Sequence, residues 1–286
     1  MAETWTTLKL LAWTQEFFAR KDVDAPRLTA EVLLAHALRC DRVRLYLDFD
    51  RPLGEPELAA FRDLVRRRSE GEPTAYLVAR KEFYGRPFRV DARVLVPRPE
   101  TETVLETALA LLPEGGRVLD LCTGSGVLGI TLALERRARV VATDLSPAAL
   151  EVARENARAL GAEVTFLEGD AFEPLAPGET FEVIVSNPPY VPTGELAGLQ
   201  REVQREPRLA LDGGADGLAV LRRIVAGAPA RLVPGGALVA EAHESHRDVL
   251  PPLCLAAGFQ RAEVRPDLAG LPRCLVARMA GPADAT

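Results

Sequence analysis

The chain has 286 residues, of which 48% are hydrophobic and 27% are charged, and its formal net charge is −6. This length allows two domains, while the acidic balance argues against a basic surface for binding nucleic acid. The cysteines lack the spacing of a zinc site or a redox dithiol, no apolar run is long enough to span a bilayer, and no secretory leader is found, so we expect a cytoplasmic protein without membrane segments or a metal site.

Apolar residues recur at helical spacing through the first seventy or so positions, which predicts a small helical bundle. The run Arg66-Arg67-Arg68 falls in the last turn of its final helix, where cations complement the helix dipole. The predicted helices are a first carrying Leu8 to Phe18, a second opened by Pro26, a third from Val43 to Leu47 and a fourth begun by Gly54 and Pro56.

Aromatic and β-branched residues between Tyr76 and Val96, interrupted by Gly85 and Pro87, predict a hairpin. The sequence pattern changes on both sides of this segment. We therefore predict a helical domain over residues 1–73, a hairpin linker over residues 74–96 and a further domain over residues 97–286.

Apolar strands alternate with helices from Arg117 onward, which predicts an α/β fold with a parallel, doubly wound sheet. The predicted strands are Val118–Leu121, Val140–Thr143, Val164–Leu167, Val183–Ser186 and Ala237–Ala240, followed by Ala262–Val264 and Cys274–Ala277. The predicted helices are Glu100–Leu111, Val127–Leu134, Pro147–Leu160, Leu218–Ala230 and His246–Ala257.

Gly124, Gly126 and Gly129 follow the first of these strands and match the G-x-G-x-x-G pattern of a nucleotide-binding loop. Asp144 ends the next strand, where its carboxylate can accept both hydroxyls of a ribose. A glycine-rich turn alone occurs in many α/β proteins. Strand, loop, helix and acid together predict a nucleoside-binding site.

Two further acids favour S-adenosylmethionine over NAD as the bound nucleoside. Asp120 lies at the strand end before the glycines, where it can meet the ammonium of a methionine moiety or a bridging water, whereas a pyrophosphate gains nothing from a carboxylate there. Asp170 follows the third strand and suits the adenine side, with Ala171 and Phe172 framing the base. The alternative for Asp170 is a turn-forming Gly-Asp pair.

Asn187, Pro188, Pro189 and Tyr190 directly follow the fourth strand, at the end where parallel sheets bind ligands. The prolines stiffen this tetrad, so the Asn187 side-chain oxygen and the Pro188 carbonyl can both point outward. Two acceptors about 3 Å from a planar NH2 group hold both of its hydrogens, and Tyr190 offers a face to the group. The tetrad predicts methyl transfer to a side-chain amide nitrogen, a poor nucleophile that needs positioning and polarisation.

Beyond this tetrad, which exocyclic-amine DNA methyltransferases share, the chain resembles the HemK/PrmC family over nearly its whole length. Members of that family methylate the glutamine of the Gly-Gly-Gln motif in class I peptide-chain release factors. The resemblance is carried by the helical N-terminal region and by Glu82–Gly85, Val96–Glu102, Glu206–Gly217 and Asp267–Gly270 followed by Arg273.

The resemblance implies a class I, Rossmann-like methyltransferase fold of seven strands with an N-terminal helical bundle, S-adenosylmethionine as the cofactor and release factors as the substrate. It implies that Asn187 to Tyr190 bind the substrate glutamine. The cofactor site that it implies, with Asp120 added from the reasoning above, comprises Asp120, Cys122, Thr123, Gly124, Ser125, Gly126, Asp144, Asp170, Ala171 and Asn187.

The chain departs from the family where Ala79 and Cys122 stand in place of common glycines and where His243 and His246 follow the fifth strand. No departure touches the tetrad. The two histidines lack a third ligand, so we interpret them as part of a solvated turn.

Other functions remain open at this point. A nucleic-acid amine methyltransferase would need a basic recognition region, and the sequence lacks one. A non-catalytic S-adenosylmethionine-binding module would not need an intact tetrad, and a dehydrogenase would bind NADH. We expect a monomeric enzyme without nucleic-acid contacts, in which the helical domain docks the protein substrate and takes no part in the chemistry.

Overall fold

A computed structural model describes residues 4–281 of the chain. These residues form two compact units. One contains the described residues up to Arg80 together with Gln200–Arg205, and the other contains Lys81–Leu199 and the described residues from Glu206 onward. No sequence pattern indicated that Gln200–Arg205 would join the helical unit, and the predicted domain boundaries stay predictions.

The helical unit has a core of aromatic and aliphatic side chains from successive helices, including Phe18, Leu33 and Phe61. Asp41 caps the third helix by accepting a hydrogen bond from the Arg44 amide, so that helix begins one residue before the predicted Val43. The helices of this unit are α1 (Thr7–Arg20), α2 (Pro26–Leu38), α3 (Arg42–Leu47), α4 (Glu55–Ser69) and α5 (Thr74–Leu77).

The arginine run does lie in the last turn of α4, as predicted. Arg66 is exposed there, but Arg68 is buried and forms a 2.5 Å ion pair with Glu202 of the Gln200–Arg205 segment. Arg68 therefore ties that segment to α4 in addition to facing the helix dipole.

The predicted hairpin is present at the start of the second unit, where strands β1 and β2 pair in antiparallel fashion. The remaining strands form one sheet within residues 4–281, in the order β5-β4-β3-β6-β7-β9-β8. The strands are β1 (Lys81–Phe83), β2 (Arg86–Phe88), β3 (Arg117–Leu121), β4 (Arg139–Asp144), β5 (Val164–Glu168), β6 (Phe181–Ser186), β7 (Leu232–Glu241), β8 (Arg261–Pro266) and β9 (Pro272–Arg278).

Helices cover both faces of this sheet, as a doubly wound fold requires. Side chains alternate along β3, so Leu119 and Leu121 join the core beneath α9 and α10, while Val118 joins the core beneath α6, α7 and α8. These helices are α6 (Thr101–Leu111), α7 (Val127–Arg136), α8 (Pro147–Leu160), α9 (Ala219–Gly227) and α10 (Leu250–Ala256).

The prediction of a parallel sheet is correct for β3 to β7 and wrong for the last two strands, which pair in antiparallel fashion. Only residues 267–271 separate β8 from β9, a connection too short for a parallel crossover. The predicted helix from His246 also starts too early. It begins at Leu250, directly before Pro251 and Pro252, because proline is tolerated in the first turn of a helix and not in its interior.

Three strands of the parallel part, β3, β4 and β6, end side by side at the centre of the sheet. The loops that follow them therefore converge at one edge, where open α/β sheets bind ligands. Within the part of the chain that the structure describes, no helix combines the length and the apolar character needed to cross a bilayer.

Candidate active site

A cavity of about 530 Å³ opens at the carboxyl ends of these strands. Most of the site residues predicted from the sequence line it, namely Asp120, Cys122, Thr123, Gly124, Ser125, Asp144, Asp170, Ala171, Asn187 and Pro189. Gly126, Pro188 and Tyr190 do not line it. Gly126 is the N-cap of α7 behind the loop, and Pro188 is buried.

Asp120 is almost fully buried, with 1% of its surface exposed. Its Oδ2 accepts hydrogen bonds from the Thr123 hydroxyl at 2.6 Å and from the Gly129 amide at 2.9 Å. A Cβ at Gly129 would lie 2.9 Å from that oxygen, so the third glycine of the motif makes room for the carboxylate and not for a ligand. Oδ1 finds no partner among residues 4–281, which leaves one buried acceptor for a cationic or hydrogen-bonding ligand group.

Asp144 fixes the glycine-rich loop to the end of β4. Its Oδ2 accepts the Gly124 amide at 2.8 Å and its Oδ1 accepts the Ser146 amide at 2.8 Å. Burial raises the pKa of Asp144 despite these bonds. Each carboxylate oxygen keeps a second lone pair, so the side chain can still accept hydroxyl groups from the cavity.

Two non-glycine residues of the cavity hold left-handed backbone, Cys122 at φ 58° and Ala171 at φ 48°. Ala79, the other position where the family commonly has glycine, also has a positive φ of 52°. Cys122 and Ala79 thus keep the left-handed backbone that glycine adopts easily, at a cost in conformational free energy of about 1 kcal/mol per residue. Burial raises the pKa of the Cys122 thiol to about 12, so this cysteine is not a nucleophile at neutral pH.

The Asp170 carboxylate accepts a hydrogen bond from Arg223, which also lines the cavity. The Ala171 carbonyl accepts the Thr143 hydroxyl at 3.0 Å, which holds the loop after β5 against β4. Asp170 is therefore a charge-paired wall residue, and its predicted role beside an adenine stays a prediction.

Asn187 is half-buried, and its Nδ2 donates to the Thr101 hydroxyl at 3.1 Å. Among residues 4–281 no donor reaches the Asn187 Oδ1 or the Pro188 carbonyl. The two acceptors that the sequence predicted for an NH2 group are thus unpaired in the protein.

Sequence reasoning missed two buried residues behind the tetrad. Thr101 donates to Glu241 Oε2 at 2.6 Å, and the Tyr190 hydroxyl donates to Glu241 Oε1 at 2.9 Å. The available signal was that Glu241 ends a strand of the parallel sheet, as Asp144 does. Thr101 lies in the family-like stretch Val96–Glu102 and in the first turn of a predicted helix, and neither feature indicates that its side chain lies beside the tetrad.

A glycine-rich loop, Asp212–Gly217, packs against the backbone of the tetrad. The Gly213 amide donates to the Val191 carbonyl at 2.8 Å, and a Cβ on Gly213 would lie 2.8 Å from the Pro189 carbonyl oxygen. A side chain at Gly217 would collide with the Tyr190 carbonyl oxygen. This family-like stretch therefore supports the tetrad from behind.

The interpretation of the two histidines as a solvated turn is wrong for His246. It is buried, because its ring packs over Gly217 and lies 3.2 Å from the Asp216 carbonyl oxygen. Burial lowers the pKa of His246, which favours a neutral ring. In the described part of the chain, no group of three or more His, Cys, Asp or Glu residues could hold a metal ion.

Comparison with known proteins identifies a family for each part of the chain. Residues 9–78 match the PrmC N-terminal domain, and residues 101–204 match the methyltransferase small domain. A release factor glutamine methyltransferase from Geobacter sulfurreducens is 48% identical over 241 residues, which cover 84% of each chain. Another from Rhodopirellula baltica is 42% identical and covers 96% of this chain and 98% of its own.

Among solved structures, a methyltransferase from Pyrococcus furiosus matches with a TM-score of 0.54 at 19% identity. The match covers 70% of this chain and 91% of that one. At this identity the likeness supports the fold alone, which agrees with the predicted class I methyltransferase architecture.

The buried Asp120 generates a prediction for the pH dependence of folding. Burial raises its pKa from 3.8 to about 7, so between these values the folded protein binds a proton that the unfolded chain releases. The free energy of unfolding should then fall as pH rises through this window, by up to about 1.4 kcal/mol per pH unit from this group. Asp144 and Glu241, whose pKa values burial also raises, add to the fall with the same sign.

Urea unfolding of the wild type and of Asp120→Asn between pH 5 and 8 tests this. The variant should gain stability relative to the wild type as pH rises. Asp216→Asn is the control, since Arg222 holds the pKa of that exposed carboxyl at about 2 and its effect is confined to more acidic solutions. Parallel curves for the wild type and Asp120→Asn would show that Asp120 is ionised throughout.

Proposed function

Because the chain belongs to the release factor glutamine methyltransferase family, we propose that it methylates the side-chain amide nitrogen of the glutamine in the Gly-Gly-Gln motif of class I peptide-chain release factors, with S-adenosylmethionine as the methyl donor. One observation carries the proposal. Asn187, whose side-chain oxygen meets no donor among residues 4–281, lines the same cavity as the buried Asp120 and the half-buried Asp144.

The residues at one side of the cavity fit S-adenosylmethionine. The unpartnered Asp120 Oδ1 suits the ammonium of the methionine moiety, since a buried carboxylate is stabilised by a cation. Asp144 suits the ribose hydroxyls, and Cys122 to Gly126 supply the loop between the two carboxylates. When bound, S-adenosylmethionine supplies a methyl group on a positively charged sulfur, which is already activated for transfer.

The tetrad suits the other partner. The Asn187 Oδ1 and the Pro188 carbonyl, which lies between the cavity residues Asn187 and Pro189, accept the two hydrogens of the glutamine amide. The Tyr190 ring lies next to the cavity lining and offers a face for the planar group. These contacts favour negative charge developing on the nitrogen and orient its lone pair. The nitrogen gains the methyl group and loses one proton, which we propose passes to water.

The same substrate class supports a cytoplasmic location, because release factors act there. The net charge of −6 supports recognition without direct nucleic-acid contact. We also propose that the enzyme acts as a monomer, because the carboxylates, the glycine-rich loop and the tetrad that the reaction needs all belong to one chain.

Asn187→Ala should lower kcat for methyl transfer by about a hundredfold or more, because it removes an acceptor aimed at the reacting amide. The assay uses purified release factor with S-adenosylmethionine labelled in the methyl group, followed by mapping of the labelled residue. Gln260→Ala removes an exposed side-chain amide away from the cavity and should behave as wild type. Label on any residue other than the motif glutamine would contradict the proposed function, and normal turnover by Asn187→Ala would contradict the role of the tetrad.

Asp144→Ala should weaken S-adenosylmethionine binding by about 1–3 kcal/mol, because two ribose hydroxyls lose a charged acceptor. Isothermal titration calorimetry measures the change. Asp248→Ala provides a matched control, as that side chain is 97% exposed and does not line the cavity. Equal affinities for the two variants would remove Asp144 from the cofactor site.

The helical unit is proposed to dock the release factor. A glutamine side chain offers few contacts, so selecting one residue of a large protein needs a second surface. Helix α3 presents Val43 and Leu47 one turn apart, with 67% and 68% of their surfaces exposed. Two adjacent apolar side chains that stay exposed in the folded domain are typical of a surface that binds a partner. The match of residues 9–78 to the PrmC N-terminal domain supports a role tied to this family.

Replacing Val43 and Leu47 together by serine should lower kcat/KM on intact release factor by about tenfold, because apolar docking area is lost. The same variant should lose less than about twofold on a short peptide that carries the Gly-Gly-Gln motif. Leu255→Ser, which changes an exposed leucine of the second unit, is the control. An equal loss on both substrates, or no loss on either, would exclude docking by α3.

A further inference from the structure

A chain of buried hydrogen bonds joins Asn187 to the end of β7. The Asn187 Nδ2 donates to the Thr101 hydroxyl at 3.1 Å, and that hydroxyl donates to Glu241 Oε2 at 2.6 Å. Tyr190 donates to the other Glu241 oxygen at 2.9 Å. These three hydrogen bonds thus link the first residue of α6, the last residue of β7 and both ends of the tetrad.

The number of hydrogens available to these groups determines which group donates and which accepts in each hydrogen bond. Burial raises the pKa of Glu241, but both of its oxygens accept a hydroxyl, Oε2 from Thr101 and Oε1 from Tyr190, which is the pattern of an ionised carboxylate. An ionised carboxylate only accepts hydrogen bonds, so Glu241 takes the single hydroxyl proton of Thr101. Thr101 then has only lone pairs left for Asn187. The group of Asn187 that faces Thr101 must therefore be the NH2 group, and Oδ1 must lie on the opposite side of the amide.

This direction matters because the two ends of an asparagine amide have nearly the same shape. If the amide were rotated by half a turn, its NH2 group would meet the NH2 group of a glutamine substrate, donor against donor. Sterics alone do not prevent such a rotation. A hydrogen-bond partner that can only accept does prevent it.

Burial makes the constraint strong. Thr101 and Glu241 are each 1% exposed, so little water is present to replace either bond. Leaving the Glu241 carboxylate in this position is costly unless its oxygens are paired, and Thr101 and Tyr190 provide donors to both. A hydrophobic pair of the same volume would pack here without that cost, so stability does not account for the carboxylate.

We propose that Thr101 and Glu241 are positioning residues, which hold the Asn187 amide with its oxygen directed at the substrate amide. Neither takes part in methyl or proton transfer. The inference rests on the proposed function, since it assumes that Asn187 accepts a hydrogen bond from the glutamine. It extends that function by identifying what makes Asn187 an acceptor.

Three variants test the inference. Thr101→Val keeps the shape of the side chain and removes the hydroxyl, which frees the Asn187 amide to rotate. Thr101→Ser restores the hydroxyl on a smaller side chain. Glu241→Gln keeps the volume of Glu241 but supplies an NH2 group, so Thr101 is no longer forced to donate away from Asn187.

Thr107→Val is the matched control. Thr107 lies on the same helix and is buried, and its hydroxyl accepts a hydrogen bond from the Cys274 thiol at 3.7 Å. The substitution is chemically identical to Thr101→Val but lies away from the cavity. All variants are compared in full-length protein for kcat on release factor, for the Kd of S-adenosylmethionine and for the free energy of unfolding.

We expect kcat to fall about tenfold or more in Thr101→Val, to stay within about threefold of wild type in Thr101→Ser, and to be unchanged in Thr107→Val. The loss in Glu241→Gln should be smaller than in Thr101→Val, because the glutamine carbonyl can still accept the Thr101 hydroxyl. The Kd of S-adenosylmethionine should change by less than about threefold in all of them, because the loss concerns the substrate amide. Rescue by serine separates positioning by the hydroxyl from packing by the methyl group.

Two results would overturn the inference. One is wild-type kcat in Thr101→Val, and the other is an equal loss in Thr101→Ser and Thr101→Val. If Thr101→Val does not fold, a wild-type kcat in folded Thr101→Ala, which also lacks the hydroxyl, has the same meaning. Failure of the wild type and of Thr107→Val to methylate release factor would instead refute the proposed function, so the two failures are distinguishable.

Discussion

Three carboxylates that burial deprives of water, at the ends of β3, β4 and β7, must find hydrogen-bond donors, and this requirement organises the edge of the sheet that carries the cavity. Asp120 at the end of β3 takes donors from Thr123 and Gly129. Asp144 and Glu241, which end β4 and β7, take theirs from the adjoining loops, from α6 and from the tetrad. Each carboxylate thus fixes the segments that surround the cavity, and the site is shaped before any ligand enters.

This arrangement suits a reaction in which the protein supplies position and electrostatics. Amide nitrogen is a weak nucleophile, and the methyl donor is already activated, so rigid acceptors contribute more than a general base. Asp120 Oδ1 and Asn187 Oδ1 are cavity acceptors that meet no donor among residues 4–281, and the proposed cofactor and substrate require both of them. The other polar atom of each side chain, Asp120 Oδ2 or Asn187 Nδ2, is hydrogen-bonded within the protein, which prevents the side chain from rotating.

Local sequence patterns located most of the fold because each depends on near neighbours in the chain. Apolar runs of strand length predicted β3 to β7, and the predicted start of α8 at Pro147 is the correct residue. The residues of β8 and β9 do not themselves indicate that β9 runs antiparallel to its neighbours. Their antiparallel pairing depends on the short connection between them, and the delayed start of α10 depends on two prolines beside the predicted boundary.

The sequence by itself determined the class of the site, since the glycine-rich loop, Asp144 and the Asn-Pro-Pro-Tyr segment each follow a strand whose carboxyl end must face the same edge. It also determined the family, through stretches distributed over the chain. Only the tertiary structure decided which side chains stand behind the site. Thr101 and Glu241 are 140 positions apart, and Glu202 reaches Arg68 across 134 positions. No local periodicity encodes such contacts, because they arise when strands far apart in sequence become neighbours in one sheet and when distant segments pack against one helix.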